Sequence, residues 1–242
     1  MVMKIRKRIL IISLTLLAGF TCSAGAVTKG MKKVIDDALD FSVKQSMSMF
    51  NEMKDQKGIL PRTAENGKMI TCESAWWTSG FYPGTLWYCY EYSNDPQIRA
   101  AAEEMTSRVE QQKYTTSNHD VGFIINCSFG NGYRLTHNET YRKVIETAAK
   151  SLSTRFHPVT GCTRSWNSKK WQFSVIIDNM MNLELLNVAS SLTGDNAYYN
   201  MAKSHADRTM INHFRPDGSS YHVVSYDTIT GKVLNQVTHQ GV

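Results

Sequence analysis

Apolar residues recur at intervals of three and four along most of the chain, which is the spacing of one face of an α-helix. The first such stripe lies within residues 28–53 and consists of Met31, Val34, Ile35, Leu39, Val43, Met47 and Phe50. Comparable stripes predict further helices over residues 80–92, 95–111, 121–130, 138–153, 177–192 and 196–209. The pattern therefore predicts an all-α protein.

The predicted helices carry polar start signals and recur as a weak repeat. Asp95 before Pro96, Asn138 and Asp195 are typical N-cap residues, and Gly194 is a typical C-terminal stop. Each start follows a more apolar helix after a short connection, which predicts helices arranged in pairs. Such pairs build helical toroids or solenoids. The alternative is that capping residues simply occur wherever helices begin.

The pattern changes near the end of the chain, where β-prone runs replace the helical stripes. Residues 221–226 and 233–238 are separated by a turn that contains Gly231, and together they predict a β-hairpin. The sequence ends shortly afterwards, and no helix follows the hairpin.

The N-terminus has the order of a secretory signal. Basic residues precede a 12-residue apolar run from Ile9 to Phe20, and small residues follow at positions 24–26. The run is too short for a membrane span, which needs about 20 apolar residues. We therefore predict a signal peptide over residues 1–26, an exported, periplasmic protein, and one domain over residues 27–242. Lipid anchoring at Cys22 is the alternative.

The formal net charge of +6 carries little functional information. Four of the 27 basic residues belong to the signal segment, which leaves 23 basic residues against 21 acidic residues. A nearly neutral mature chain disfavours a polyanion-binding surface, so no nucleic-acid partner is predicted.

The sequence lacks the common metal, nucleotide and serine-hydrolase motifs. Its 5 cysteines form no CxxC pair, and HExxH, GxGxxG, GxxxxGK[ST] and GxSxG are absent, so no metal site is predicted. Cys89 and Cys127 lie in apolar runs, where we expect free thiols. The segment Gly130-Asn131-Gly132 predicts a turn after a helix.

Two aspartates stand in apolar surroundings, where loss of hydration raises a carboxyl pKa toward the range of a general acid. Asp178 follows Val175-Ile176-Ile177, and Asp120 precedes Val121-Gly122-Phe123. Both residues begin predicted helices, so helix capping is the alternative function for each. If the two helix starts converge, like-charge repulsion keeps one of the two carboxyls protonated.

Aromatic residues are concentrated near these aspartates. Trp77 lies in an aromatic-rich segment, and Trp166 precedes Asp178. Tryptophan faces beside carboxylates are typical of a carbohydrate cleft, because a sugar has an apolar C–H face and a polar rim. The alternative is core packing, which we expect for Phe81 and Trp87.

Four segments of the chain together resemble a known family. They are Trp77-Thr78-Ser79-Gly80-Phe81-Tyr82-Pro83-Gly84, Asn118-His119-Asp120-Val121-Gly122-Phe123, Ile176-Ile177-Asp178-Asn179-Met180-Met181-Asn182 and Thr238-His239-Gln240-Gly241. In this order they resemble the unsaturated glucuronyl hydrolases of glycoside hydrolase family 88, from about residue 30 to the last residue. The resemblance implies an (α/α)6 toroid. The family's pattern continues into a further helix beyond this chain, so we expect a C-terminally truncated, incomplete toroid of about four helical hairpins.

The resemblance also implies roles for individual residues. Asp178 corresponds to the family's general acid/base, and Asp120 corresponds to its second essential carboxylate. The implied substrate-binding residues are Trp77, Trp166, His222, His239 and Gln240. No metal or organic cofactor is implied, and nothing in the sequence predicts an oligomeric state.

The implied substrate is an oligosaccharide left by a polysaccharide lyase, with a 4,5-unsaturated uronic acid at its non-reducing end. Asp178 would protonate C4 and direct water to C5, and the resulting hemiketal would open and release the next sugar. Two alternatives stay open: an unsaturated rhamnogalacturonyl hydrolase, and a non-catalytic carbohydrate-binding remnant.

Overall fold

The computed structural model describes residues 28–239 of the chain. The predicted signal peptide, the alternative anchor Cys22 and the implied ligand Gln240 lie outside the described residues. The chain divides into two compact units, residues 1–40 and residues 41–242. The described part of the first unit is helical and carries ion pairs between Lys32 and Asp36 and between Lys33 and Asp37.

Helices and strands follow one another as the periodicity predicts, with additional short strands. The helices are α1 (Lys29–Met53), α2 (Phe81–Ser93), α3 (Pro96–Ser107), α4 (Val121–Ile125), α5 (Asn131–Thr136), α6 (Glu139–Ser153), α7 (Asn179–Asn182), α8 (Glu184–Thr193) and α9 (Asn196–Asn212). A 3-10 helix spans Glu110–Tyr114, and a π-helical turn, Asn126–Gly130, joins α4 to α5. The strands are β1 (Ile59–Glu65), β2 (Lys68–Glu73), β3 (Phe156–His157), β4 (Cys162–Thr163), β5 (Ser174–Ile176), β6 (Val223–Tyr226) and β7 (Val233–Val237).

The predicted start and stop signals of the helices are confirmed. The side chains of Asp95, Asn138 and Asp195 each accept a hydrogen bond from the backbone N–H two residues later. Gly194 ends α8 in the left-handed conformation, at φ 75°. The helices then pair as expected. Within the described residues, α1 is followed by three helical hairpins, α2–α3, α4/α5–α6 and α7/α8–α9.

Glycines let the first helices of successive hairpins come into backbone contact. A Cβ atom on Gly80 would collide with the backbone of Ile124, and one on Gly84 would lie 2.7 Å from the carbonyl oxygen of Cys127. A Cβ atom on Gly122 would lie 2.6 Å from the Cα atom of Asn182. Real side chains do not tolerate such distances, so these glycines set how closely neighbouring hairpins approach.

The turn predicted at Gly130-Asn131-Gly132 is wrong, because these residues lie inside a helical run from Val121 to Thr136. Gly130 and Asn131 have φ values of −61° and −65°. Gly132 is required by packing instead, since a Cβ atom there would lie 2.7 Å from the ring of Tyr141.

The predicted C-terminal hairpin is confirmed and forms part of a larger sheet. Strand β6 pairs antiparallel with β7 on one side and with β5 on the other. The sequence pattern predicts neither β5 nor the hairpin of β1 and β2. The turn signal of that hairpin is Asn66-Gly67, where both residues have positive φ.

The main core lies between the helical hairpins. Ile124, Ile145, Leu152 and Leu186 are among its fully buried residues, and Trp87 anchors a second cluster with Met105. Trp87 is therefore a core residue, as expected. None of the helices in residues 28–239 is both long and apolar enough to cross a membrane.

Candidate active site

Six of the seven residues that the sequence motifs single out line one cavity of about 420 Å³. The cavity lies where α4 and α7 begin, beside the sheet formed by β5, β6 and β7. Its lining residues are Trp77, His119, Asp120, Trp166, Ile176, Asp178, His222 and His239. Residues from several separate parts of the chain thus converge on one small site.

Asp120 stands immediately before α4, but it does not cap that helix. Its backbone is in the right-handed helical region, and its side chain makes no capping hydrogen bond. The carboxyl Oδ1 instead lies 3.3 Å from Nε2 of His119. Burial and the neighbouring Asp178 raise the pKa of Asp120 to about 6, against the opposing influence of Arg155.

Asp178 occupies the equivalent position before α7 and likewise makes no capping hydrogen bond. Strand β5 positions it, because the N–H of Ile177 donates to the carbonyl of His222 at 3.0 Å and so continues the pairing with β6. Its buried Oδ1 has no hydrogen-bond partner among the described residues. Burial raises the pKa of Asp178 to about 6, although the backbone N–H groups of Asp178 and Asn179 act in the opposite direction. The capping alternative is therefore wrong for both aspartates.

The glycine contact between α4 and α7 brings the two carboxyls into one site. Gly122 lies two residues after Asp120, and Asn182 lies four residues after Asp178. Because Gly122 has no side chain, the backbone N–H of Phe123 reaches Oδ1 of Asn182 at 2.7 Å. The starts of the two helices are thereby held side by side.

Aromatic rings and imidazoles form one wall of the cavity. The His239 ring lies 5.9 Å from Trp166, 5.4 Å from Trp171 and 6.2 Å from His222, measured between centroids. The backbone N–H of His239 also donates a hydrogen bond to Nδ1 of His222 at 3.3 Å. Burial lowers the pKa of His222, and His239 acts in the same direction, so the neutral form of His222 is favoured.

Trp77 lies on another side of the cavity and is 43% exposed. Its ring contacts Phe81 and Phe123 at centroid distances of 5.7 and 6.1 Å. A half-exposed indole held by two rings is a stable platform with one free face.

Two residues near the carboxyls carry no functional signal of their own in the sequence. His119 is 1% exposed and contacts Asp120, but in the sequence it is only a member of the motif around Asp120, with no predicted role of its own. Arg155 is 8% exposed, and its guanidinium donates to the carbonyls of Thr116 and Arg164. Nothing in its local sequence indicates burial, since Thr154-Arg155 is an ordinary helix end.

Two larger cavities, of about 1060 and 750 Å³, lie away from this site. The first is lined by α1, β1, β2 and α2, and the second contains Cys127, Arg134 and Glu184. Neither holds a pair of aspartates with raised pKa, so the smaller cavity is the better candidate. Within residues 28–239, no group of three His, Cys, Asp or Glu side chains is arranged to hold a metal ion.

Comparisons with known proteins identify relatives of this chain. No protein-family model matches the chain. An unsaturated glucuronyl hydrolase of Formosa agariphila is 48% identical over 168 residues, which are 68% of this chain and 42% of that protein. The chain is a homologue of the unsaturated glucuronyl hydrolases. An unsaturated chondroitin disaccharide hydrolase of Streptococcus pyogenes is 33% identical over 213 residues, 86% of this chain and 53% of that protein.

Solved structures of unsaturated glucuronyl hydrolases have the same fold. One that is specific for heparin superposes with a TM-score of 0.80 at 43% identity, over 86% of this chain and 57% of that chain. The enzyme from Bacillus sp. GL1 gives a TM-score of 0.75 at 29% identity, over 86% and 55%. The expected toroidal fold with a hairpin near the C-terminus is thus confirmed. The chain spans about half the length of the curated relatives that it matches.

Proposed function

We propose that this protein releases 4,5-unsaturated uronic acid from the non-reducing end of lyase-generated oligosaccharides, by hydration of the vinyl ether double bond. The observation that carries the proposal is the pair of half-buried aspartates, Asp120 and Asp178, which line one sugar-sized cavity and have raised pKa values. The shared family with glucuronyl and chondroitin disaccharide hydrolases supports the same reaction class.

Asp178 is the proton donor in this scheme. Its pKa of about 6 keeps a fraction of the carboxyl protonated near neutral pH. Asp178 protonates C4 while water adds to C5, and the water's second proton returns to the carboxylate. The hemiketal at C5 then opens, and the bond between C1 and the leaving sugar breaks.

Asp120 orients the ring in the same scheme. It accepts hydrogen bonds from sugar hydroxyls, and its negative charge favours the protonated form of the neighbouring Asp178. Trp77 stacks on the apolar face of the sugar, and Trp166, His222 and His239 also line the cavity. Each imidazole carries a ring N–H that can donate a hydrogen bond to the substrate.

The substrate class that fits best is an unsaturated glycosaminoglycan disaccharide. Two of the similar proteins are named for chondroitin disaccharides and for heparin, and both substrates begin with an unsaturated uronic acid. The signal-like N-terminus supports export to the periplasm, where lyase products are encountered. The motif resemblance supports membership of glycoside hydrolase family 88.

The test is loss of ultraviolet absorbance from the conjugated double bond. The purified protein is incubated with unsaturated chondroitin and heparin disaccharides, with an unsaturated rhamnogalacturonyl disaccharide and with a saturated glucuronide as the control. We expect loss of absorbance with a glycosaminoglycan substrate and no reaction of the saturated sugar. A folded protein that leaves all unsaturated disaccharides unchanged would contradict the proposal, and turnover of the rhamnogalacturonyl substrate alone would replace it.

A further inference from the structure

The imidazole of His119 lies between two buried polar groups. Its Nε2 is 3.3 Å from Oδ1 of Asp120, and its Nδ1 is 3.5 Å from Nδ2 of Asn182. His119 and Asn182 are 1% and 0% exposed. The tautomer of a neutral, buried imidazole is set by the hydrogen-bond partners of its two ring nitrogens, which here are a carboxylate and an amide.

The backbone fixes the orientation of the Asn182 amide. The N–H of Phe123 donates to Oδ1 of Asn182 at 2.7 Å, which leaves the amide Nδ2 facing His119. An amide nitrogen is only a donor, so Nδ1 of His119 has to be the acceptor. Burial lowers the pKa of His119 to about 3, so the ring is neutral and carries one proton. That proton is therefore on Nε2, which lies 3.3 Å from Oδ1 of Asp120.

One neighbour favours the opposite arrangement. The side chain of Asn179 also lies beside the His119 ring, and its Oδ1 has no hydrogen-bond partner among the described residues. A ring proton shared with this oxygen would compete with the contact to Asp120. A proton on Nδ1 would also face the donor of Asn182 and leave a lone pair facing Asp120. The hydrogen bond from the backbone N–H of Phe123 fixes the Asn182 amide, so the tautomer with its proton on Nε2 is favoured.

We propose that His119, held by Asn182 with its proton on Nε2, is a positioning residue that donates a hydrogen bond to Asp120 and aims its carboxylate into the cavity. This role rests on the proposed function. A neutral donor restricts the direction of the carboxylate without cancelling its charge, so Asp120 still repels a negative charge on Asp178. The glycine at position 122 matters here too, because it lets Phe123 orient Asn182.

The first experiment reads the tautomer directly and needs no substrate. In protein labelled with 15N-histidine, long-range proton–nitrogen correlation spectra distinguish protonated from unprotonated ring nitrogens, and the His119 signals are assigned by their loss in His119→Gln. We expect Nε2 to be protonated and Nδ1 unprotonated at neutral pH. A proton on Nδ1, or on both nitrogens, would overturn the proposal.

A matched pair of variants tests the donor. Glutamine places its amide nitrogen near the position of Nε2, whereas asparagine places it near Nδ1, so His119→Gln keeps the donor to Asp120 and His119→Asn removes it. The groups around the Asp120 carboxyl are His119, Asp178 from the start of α7, Arg155 after α6, and His222 and His239 across the cavity. All except His119 are unchanged in both variants.

We expect the pKa of Asp120, followed by the 13C shift of its carboxyl group, to rise in His119→Asn and to rise less in His119→Gln. On an unsaturated disaccharide, kcat/KM should fall by about 10- to 100-fold in His119→Asn and by less in His119→Gln. Equal losses of activity in the two variants, with an unchanged Asp120 titration, would show a merely structural residue and overturn the proposal.

A third variant keeps the histidine and covers the case in which His119→Asn does not fold. Asn182→Asp presents a carboxylate to Nδ1 and should draw the ring proton there, which removes the donor from Asp120. The proposal fails if this variant leaves the tautomer on Nε2. Should the parent protein turn over no unsaturated uronide, the proposed reaction is wrong, while the tautomer and the Asp120 titration still decide whether His119 holds Asp120.

Discussion

Aspartates precede helices at two kinds of position in this molecule: some cap the helix, and others do not. Asp95 and Asp195 begin the second helices of two hairpins, and their side chains accept backbone hydrogen bonds of 2.7 and 2.8 Å. Asp120 and Asp178 stand at the same position before the first helices α4 and α7, and neither makes such a bond. Of these four aspartates, Asp120 and Asp178 line the candidate active-site cavity, and Asp95 and Asp195 do not.

The backbone explains the difference. Asp95 and Asp195 are extended, with ψ values of 121° and 105°, the conformation in which a side chain folds back over the first helical turn. Asp120 and Asp178 have ψ values of −10° and −12°, which already continue the helix. Their carboxyls therefore make no capping hydrogen bond, and loss of hydration raises their pKa values. A helix-start aspartate that does not cap is thus a candidate for chemistry.

The largest effect expected from this comparison is that of Asp178→Asn. The variant keeps the shape of the side chain but cannot donate a proton to C4 or direct water to C5. We expect turnover of an unsaturated disaccharide to fall by more than about 10²- to 10⁴-fold, because one group performs both tasks. Wild-type turnover in this variant would remove Asp178 from the mechanism.

Asp120→Asn should have the second largest effect. The amide can still contact sugar hydroxyls, but it lacks the charge that favours protonation of Asp178, so we expect a loss of about 10²-fold in kcat/KM. Because Asp120 makes no capping bond, the melting temperature should not fall. A clear loss of thermal stability would mean that the side chain supports the helix after all.

The raised pKa values predict that both aspartates destabilise the fold at neutral pH. A carboxyl whose folded-state pKa is about 6, above its ordinary value of 3.8, binds its proton more tightly when folded, so stability falls as pH rises between these values. Asp178→Asn removes this penalty. Its free energy of unfolding should exceed that of the parent by about 2 kcal/mol near pH 8.

Urea unfolding of the parent and Asp178→Asn at several pH values measures this difference. It should shrink toward zero near pH 4, where the parent carboxyl is protonated when folded. A difference that is independent of pH would show that the substitution acts through packing and not through the charge.

Asp195→Ala gives the smallest effect and serves as the control for the other helix starts. It removes the hydrogen bond to the N–H of Ala197, so the free energy of unfolding should fall by about 1 kcal/mol. Activity should be unchanged, because Asp195 does not line the cavity. Calorimetric melting measures the change in stability, and the absorbance assay measures activity. A loss of activity would contradict the assignment of Asp195 as a capping residue without a role in the site.

Much of the fold can be predicted from local sequence. The predicted helix over residues 28–53 is observed as Lys29–Met53, and the one over 138–153 as Glu139–Ser153. Periodicity succeeds for Glu139–Ser153 because that helix buries one face, and the caps succeed because they depend only on neighbouring residues. In α1 the helix is observed, although Met31, Val34 and Ile35 of its apolar stripe are exposed. Strand β5 is not predicted because three residues carry no period, and it becomes a strand only by pairing with β6.

The candidate site shows the same division. Local apolar context singles out Asp120 and Asp178, and motif resemblance adds the tryptophans and histidines. His119 and Arg155 have no such signal, because their burial depends on elements far away in sequence, such as Asn182 for His119 and Thr116 for Arg155. A residue whose partners are all distant in the chain leaves no local pattern to detect.

The sequence by itself determined where most of the helices begin and which acids stand in apolar surroundings. Tertiary structure alone decided which helix-start aspartates are caps and which face a cavity, since that choice depends on how the preceding chain enters the helix. It also decided which neighbour each carboxyl has. Gly122 illustrates the link, because its missing side chain has no local consequence until Asn182, 60 residues later, packs against it.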